Sequence, residues 1–540
     1  MPDFIYDYFS MQDVNVPSWH DEFFWPVSRE ETNQLNMDLM AAYCRLFEPV
    51  EPLFASDCCV IGRLVPLLFI QAVNHYVAVE RLRRMDYSIR FSDRLTLVPQ
   101  FLRPSDPMHF PPARLPSAAS SGRVKLKFKN FLYSLYYNKS KTGHILDHFD
   151  FSRCVAAFPS DNVIFRPYTR NHRDWVRIVA PQEWHGAPGT PPAGAIRILK
   201  DVARQYTEQA GTYARDILGV DLPETLRRAL AKYAEETLAN IAQGYSGLLA
   251  LMGNLKPKQL LTPTAGNPFT RAVSLAARRF GTHVTGFPHG NYICHYSSPR
   301  PAFHELATVD SFMAYTPGSV PLMHRNMELN PPPRSNKVTF EHEDSPVLLD
   351  RFNLWRNRPL PRRIKSVMVL ELALIPEWAG YHCAETMVNY HFYYSVCRTL
   401  TEAGYEVIFK KRPKSLQWDG INIFKNMPGV HVETRPLEAP GVIEQADAIM
   451  VQYAMSSTLF WSMCTNKTVI YVDSGWEPWF PDVYEKMARR CRVLQCSYDT
   501  RNRPVFSREA LLNLLASPPE QPDCSFIDAY LSPSLSWSSS

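Results

Sequence analysis

Apolar residues recur every three or four positions from Ala195 to Leu218 and from Glu224 to Leu251, the spacing that lays one helix face on a core. Ser28-Arg-Glu-Glu31 fits a capping box opening a helix through about Leu46, and a longer helical pattern runs from about Cys59 to Met85. Short β-like pieces follow at Ser88–Phe91 and Leu95–Val98. From Gln259 the rhythm changes to short β-branched runs alternating with helical ones. Gln259–Thr262, Thr282–Phe287 and Phe312–Tyr315 read as strands, with helices at Pro268–Phe280 and Val320–Met327. Pro331 to Asp344 reads as a linker, and the alternation then resumes. Strands are expected at Ser366–Glu371, Glu406–Lys410, Val430–Val432, Ala448–Val451 and Val469–Val472. Helices are expected at Met387–Ala403, Glu438–Gln445 and Ser457–Cys464. Strands alternating with helices mean βαβ units and parallel sheets. Two such blocks predict an α/β protein of two Rossmann-like domains facing a cleft. The expected division is 1–335 with helical N-terminal additions, 336–530, and a disordered Ser/Pro-rich tail at 531–540.

Composition changes this picture little. The 540 residues are 45% hydrophobic and 21% charged, as in ordinary soluble globular proteins. A surplus of five positive charges is too small for a genome-coating nucleic-acid binder. The N-terminus lacks a basic segment followed by an apolar run, so no secretory signal is expected. The longest apolar stretch, Cys58 to Ala78, is interrupted by Arg63, Gln71, Asn74 and His75, too polar for a free-standing membrane span. Eleven cysteines without a framework spacing point to reduced thiols in a cytoplasm. Residues 123–140 alternate basic with apolar and aromatic groups. That pattern fits an anionic membrane surface, and equally a solvated basic edge whose other face lies on the core.

In open α/β sheets ligands bind beyond the carboxyl ends of strands. Three groups of residues fall there. Ser456, Ser457 and Thr458 follow the strand ending at Val451 and offer hydroxyl and backbone donors to an anion, or serve as a plain helix cap. Lys410-Lys411-Arg412-Pro413-Lys414 puts four cations in five residues at a strand end, suited to phosphate or a sugar carboxylate, or to a solvated turn. His289, in Phe287-Pro288-His289-Gly290-Asn291, is placed to act as acid, base or phosphate donor, though loop histidines are commonly structural. The nearby His283, Cys294 and His295 match no standard zinc spacing, so no metal is expected. The phosphate-loop, dinucleotide, nucleophile-elbow and His-Glu-x-x-His patterns are all absent, as is Asp-x-Asp. These absences remove most of the case for kinases, dinucleotide oxidoreductases, α/β-hydrolases and one architecture of metal-dependent sugar transferase.

The segments "TPTAGNPFTRAVSLAARRFGTHVTGFPHGN", "HELATVDSFMAYTPGS", "VIFKKRPK" and "ADAIMVQYAMSSTLFWSMCTNKTVIYVD", in that order, resemble bacterial surface-carbohydrate transferases of the GT-B fold. With "CVIGRLVPLLFIQAVNHYVAVERL" as an N-terminal helix, the chain is similar to transferases of leptospiral surface-polysaccharide loci. The resemblance spans Cys59–Arg84 and Gln259–Arg490. Two loops depart from the pattern: Phe-Pro-His-Gly-Asn lacks further glycines, and Lys-Arg-Pro-Lys-Ser stands where Lys-Pro-His-Pro is expected.

The resemblance implies a cytoplasmic, metal-independent glycosyltransferase that moves a sugar from a nucleotide-activated donor onto a surface polysaccharide. A CMP-ulosonic acid such as CMP-Kdo is one such donor. The donor would be held by Ser456, Ser457, Thr458, Lys410 and Arg412, with His289 facing it and Arg412 serving a sugar carboxylate. Candidates for the catalytic base or nucleophile are His289, Glu305 and Glu371. The implied partners are the donor, a glycan or lipid-linked acceptor and the inner membrane surface, with no nucleic acid and no further cofactor. A CDP-alditol phosphotransferase of the teichoic-acid type, a nucleotide-sugar epimerase and a non-catalytic assembly partner fit the same residues.

Overall fold

The computed structural model describes the chain except residues 12–13, 49, 51, 103–107, 116–122, 139–141, 159–163, 180–183, 185–187, 264–265, 289, 291–294, 300–301, 332–336, 344–345, 373–384, 413–422, 455 and 532–540, and except the side chains of 123–129, 142–144 and 346. The described residues form a mixed α/β structure with two large, mainly parallel sheets. A small parallel pair, β1 (Asp3–Ile5) and β2 (Ser88–Arg90), lies near the N-terminus. The first large sheet contains β3 (Val155–Ala157), β4 (Val176–Ile178), β5 (Gln259–Thr262), β6 (His283–Gly286), β7 (Ser311–Ala314) and β8 (Thr339–His342), in the order β4-β3-β5-β6-β7-β8. All its pairings are parallel.

The second sheet contains β9 (Ser366–Leu370), β10 (Glu406–Lys410), β11 (Val430–Glu433), β12 (Ala448–Val451), β13 (Thr468–Asp473), β14 (Arg492–Tyr498) and β15 (Pro504–Phe506). Its order is β11-β10-β9-β12-β13-β14-β15, parallel except for the last pair. β9 and β12 are buried along their whole length. Their unbroken apolar runs, SVMVL and AIMV, are what a parallel strand covered on both faces requires. From β9 the chain winds outward to β10 and β11, then returns to the other side of β9 for β12. The winding therefore reverses between β9 and β12.

A helical layer built from Arg29–Phe47, Ala195–Leu218 and Glu224–Leu255 packs on the helix Pro268–Arg279, which itself lies on β5 and β6. The expected capping box is present, with Ser28 accepting from Glu31 N–H and Glu31 accepting from Ser28 N–H. Gly219, at φ +65°, ends the second helix in the left-handed region that favours glycine. Each half of the chain is clasped by the opposite terminus. Near the N-terminus, Tyr8 stacks on Tyr390, His20 stacks on His391 with ring centroids 4.1 Å apart, and Trp25 N–H donates to Arg501 O. At the other end the helix Ser525–Tyr530 reaches the first half, where Thr316 Oγ1 donates to Ala529 O at 2.9 Å.

Several expectations need correction. The pattern from Cys59 to Met85 is two helices, Leu53–Ile61 and Leu64–Arg84, bent by 50°. At the bend a Cβ at Gly62 would collide with the Leu238 side chain, and Tyr43 donates to Cys59 O and Gly62 O. Together the pair has the length and composition of a broken membrane span, but no single described helix is long and apolar enough to cross a membrane. Both helices contribute to the buried core. Leu95–Val98 forms no strand; Val98 instead opens the short helix Val98–Leu102. Only Ile443–Gln445 of the expected 438–445 helix is helical, as a 3-10 turn. β8 lies in the first sheet, so by sheet membership the first unit continues past 335 to His342. Leu531 is fully buried rather than part of a tail. The rest of the expected tail lies outside the described residues.

The basic segment forms the helix Arg123–Tyr137, with an unusual polarity. Its described buried positions are Asn130, Ser134 and Tyr137, with Asn138 buried just beyond its end, and Ser134 and Asn138 cover the free edge of β4. Ser134 Oγ accepts from Ile178 N–H at 2.9 Å. Asn138 accepts from Val176 N–H at 2.9 Å and donates to Val176 O at 2.7 Å, taking the place of a neighbouring strand. Asn138→Ala leaves both backbone groups of Val176 unpaired on that edge and is expected to destabilise by about 2 kcal/mol or more. An unchanged urea midpoint would contradict this.

Candidate functional site

Parallel pairing sets Leu370 opposite both Lys410 and Val451. The three strands end at one level, and the residues leaving them enclose a cavity of about 180 Å³. It is lined by Leu370, Glu371 and Leu372 after β9, by Lys410, Lys411 and Arg412 after β10, and by Gln452, Tyr453, Ser456, Ser457 and Thr458 after β12. Leu437 and Glu438 close one side. The cavity therefore lies where the winding reverses, the point at which crossovers leave opposite faces of the sheet and open a crevice.

Lys410 and Lys411 are nearly buried, at 4% and 6% exposure, whereas Arg412 is exposed. Burial lowers the Lys410 ammonium from its ordinary pKa, and the carboxylates of Glu433, Glu371 and Glu438 oppose that shift. Its Nζ donates to Lys411 O. Glu371 Oε2 accepts the backbone N–H of Arg412 at 2.8 Å, tying the end of β9 to the cationic turn. Glu433 is held by Arg435 and Gln445, and the Arg435 guanidinium is the main cause of its carboxyl falling to about 2. A neighbouring carboxylate thus stays charged beside the lysines.

Ser456 caps the Ser457–Met463 helix, accepting from Thr458 N–H at 3.2 Å. Its hydroxyl also bonds that of Thr458. Gln452 donates through Nε2 to Asn389 Oδ1 at 3.2 Å. Its Oε1 is buried and has no hydrogen-bond partner among the described residues. An unpaired buried acceptor in a cavity wall is costly unless a ligand or water supplies a donor.

Of the residues nominated from sequence, Glu371, Lys410, Arg412, Ser456, Ser457 and Thr458 meet in this one cavity. His289 lies outside the described residues, as do Pro413 and Lys414. Glu305 does not line the cavity. It is buried in the π-helical turn Ala302–Leu306, where its charge favours the cationic form of Arg271. His295 is also buried, enclosed by Phe460, Trp479, Phe526 and Tyr530, and burial lowers its imidazole to about 3. Among the described residues, no group of three or more His, Cys, Asp or Glu is arranged to hold a metal.

Sequence reasoning missed the supports of the cavity. Tyr393 accepts Leu372 N–H at 2.7 Å and fixes the segment leaving β9. Glu477 accepts from Ala454 N–H and Tyr471 OH, both at 3.2 Å, and so fixes the segment leaving β12. Neither sits in a recognisable pattern. Gln452 was findable, because it directly follows the strand and the same positional rule already selected Lys411 and Glu371. No protein-family model and no curated protein matches this chain.

Burial raises the Glu477 carboxyl from 4.5 to about 8, against the hydrogen bonds of Ala454 and Tyr471. Between those pH values the folded protein holds a proton that the unfolded chain has released. Stability therefore falls as pH rises through this window, by an amount on the order of a few kcal/mol. Glu477→Gln carries no such proton and is expected to flatten that slope in urea unfolding followed across the window. Parallel pH profiles for wild type and variant would refute the assignment.

Proposed function

We propose that the cavity at the ends of β9, β10 and β12 binds the phosphate-bearing part of a nucleotide-activated sugar, and that the protein is a glycosyltransferase of GT-B type. The observation that carries this reading is the convergence of Lys410, Lys411 and Arg412 with the hydroxyls of Ser456, Ser457 and Thr458 around one cavity at the reversal of a parallel sheet. Two parallel sheets, one in each half of the chain, and the crossing of the C-terminal helix onto the first half are consistent with that fold.

Cleaving the bond between an anomeric carbon and phosphate creates positive charge on the sugar and negative charge on the departing phosphate. Cations and hydroxyl donors already fixed in place stabilise that phosphate without reorganising as the bond breaks. Arg412 is the exposed, forked donor suited to a phosphate or a sugar carboxylate. Glu371 is engaged with the Arg412 backbone, which supports a positioning role for it. Activation of the acceptor hydroxyl would then fall to a group from the first half, for which His289 and Glu305 are the nominated residues. Backbone hydrogen bonds between the halves, from Ser297 N–H to Pro478 O and from Phe480 N–H to His295 O, are consistent with that arrangement.

A thermal-shift series with CMP, CDP, UDP, GDP and dTDP tests this reading. A ligand at one hundred times its dissociation constant adds about 2.7 kcal/mol of stability. One nucleotide is expected to stabilise the wild type, and Arg412→Ala or Ser457→Ala, both at exposed positions, to weaken it. Loss of the Arg412 contacts should cost roughly tenfold or more in affinity. CMP would point to an ulosonic acid donor, CDP to alditol-phosphate transfer, and the others to different sugars. No shift with any nucleotide would overturn the proposal.

A further inference from the structure

The helix Arg123–Tyr137 turns its polar side inward onto β4, and its large apolar side is left at the surface. Leu132, Tyr133 and Tyr136 are exposed on it. The following 3-10 segment, Thr142–Phe149, adds Leu146 and Phe149, at 76% and 72% exposure. These five are a large share of the exposed large hydrophobic side chains among the described residues, gathered within eighteen positions. Scattered single hydrophobics on a surface need no explanation, but such a gathering along the chain does, and Phe149 lies against Phe131 of the helix with ring centroids 6.1 Å apart. A shallow hollow of about 480 Å³ lies among Leu132, Tyr133, Tyr136, Tyr137 and Arg166.

Charge identifies what covers this face. Residues 123–177 contain eleven Lys and Arg against four Asp, a surplus of seven, whereas the whole chain has a surplus of only five. The positive excess is therefore concentrated in this segment. The Arg170 guanidinium lies over the Tyr136 ring at 5.1 Å and donates to its hydroxyl at 2.7 Å, joining a cation to an amphipathic aromatic ring. Exposed leucine and phenylalanine beside tyrosine, in a segment of this positive excess, match an interface of hydrocarbon under anionic headgroups. Tyrosine is favoured at that boundary because its ring is apolar and its hydroxyl polar. A nucleic acid would use the cations and the rings, but Leu132 and Leu146 offer it neither a stacking face nor a hydrogen bond.

We propose that the 123–149 face docks on the surface of an anionic lipid bilayer, with Leu146 and Phe149 entering the acyl boundary. This does not depend on the chemistry at the β9–β12 cavity. The full chain should co-sediment with phosphatidylcholine vesicles containing about one-third phosphatidylglycerol, bind vesicles of phosphatidylcholine alone far more weakly, and be released by salt. The double variant Leu146→Ser, Phe149→Ser removes two exposed side chains and keeps every charge. It should lower binding to the anionic vesicles by at least about tenfold, with an unchanged thermal midpoint. Failure of the wild type to bind anionic vesicles, equal binding by the double variant, or preferential capture by a single-stranded oligonucleotide would each overturn the proposal.

Discussion

Parallel pairing around β9 is the constraint on which the candidate site depends. With Lys410 and Val451 both opposite Leu370, the chain has no freedom over where Glu371, Lys411 and Gln452 emerge. They leave the sheet at one level and on one edge. The winding reverses between β9 and β12, the place where crossovers leave opposite faces of a parallel sheet and open a crevice. The same geometry brings a charged turn from β10 to the rim. Lys410 and Lys411 are both nearly buried there, and Glu433, Glu371 and Glu438 oppose the lowering that burial imposes on the Lys410 ammonium.

The cavity walls are held from positions behind them. Tyr393 reaches from the Thr386–Glu402 helix to Leu372 N–H, and that helix also carries His391, the surface against which the N-terminal segment stacks. Burial lowers both His20 and His391, which favours the neutral form of the stacked rings. On the other side, Glu477 fixes Ala454 through a chain that continues by Tyr471 to Trp479, whose backbone bridges to Tyr296. The contact between the two halves is thus linked by hydrogen bonds to a cavity wall. A change in one has a direct structural route to the other.

Elements were legible in the sequence where local signals are strong. β5, β10 and β12 match their expected bounds because each is a short apolar run between turn residues. The positional rule for strand ends then located the cavity residues without any knowledge of packing. β3 and β4 were illegible because three residues carry too little periodicity, and β8 because it is largely exposed and lacks an apolar run. The long-range supports, Tyr393 and Glu477, were illegible for another reason. Their roles depend on which backbone amide lies opposite, and nothing local in the sequence specifies that.

The edge helix shows a further limit of pattern reading. The sequence shows basic groups alternating with apolar and aromatic ones over residues 123–140, but not which groups face inward. The ordinary assignment sends apolar residues to the core, because burial of hydrocarbon is the main favourable contribution to packing. An edge strand imposes a different demand, since its outward N–H and C=O groups need hydrogen-bond partners. Ser134 and Asn138 lie four residues apart at the end of the helix, so both meet β4 from one side. Once that face is committed to the sheet edge, helical geometry requires Leu132, Tyr133 and Tyr136 to point elsewhere. Their exposure follows from how β4 is closed, and it supplies the docking face with no separate structural element.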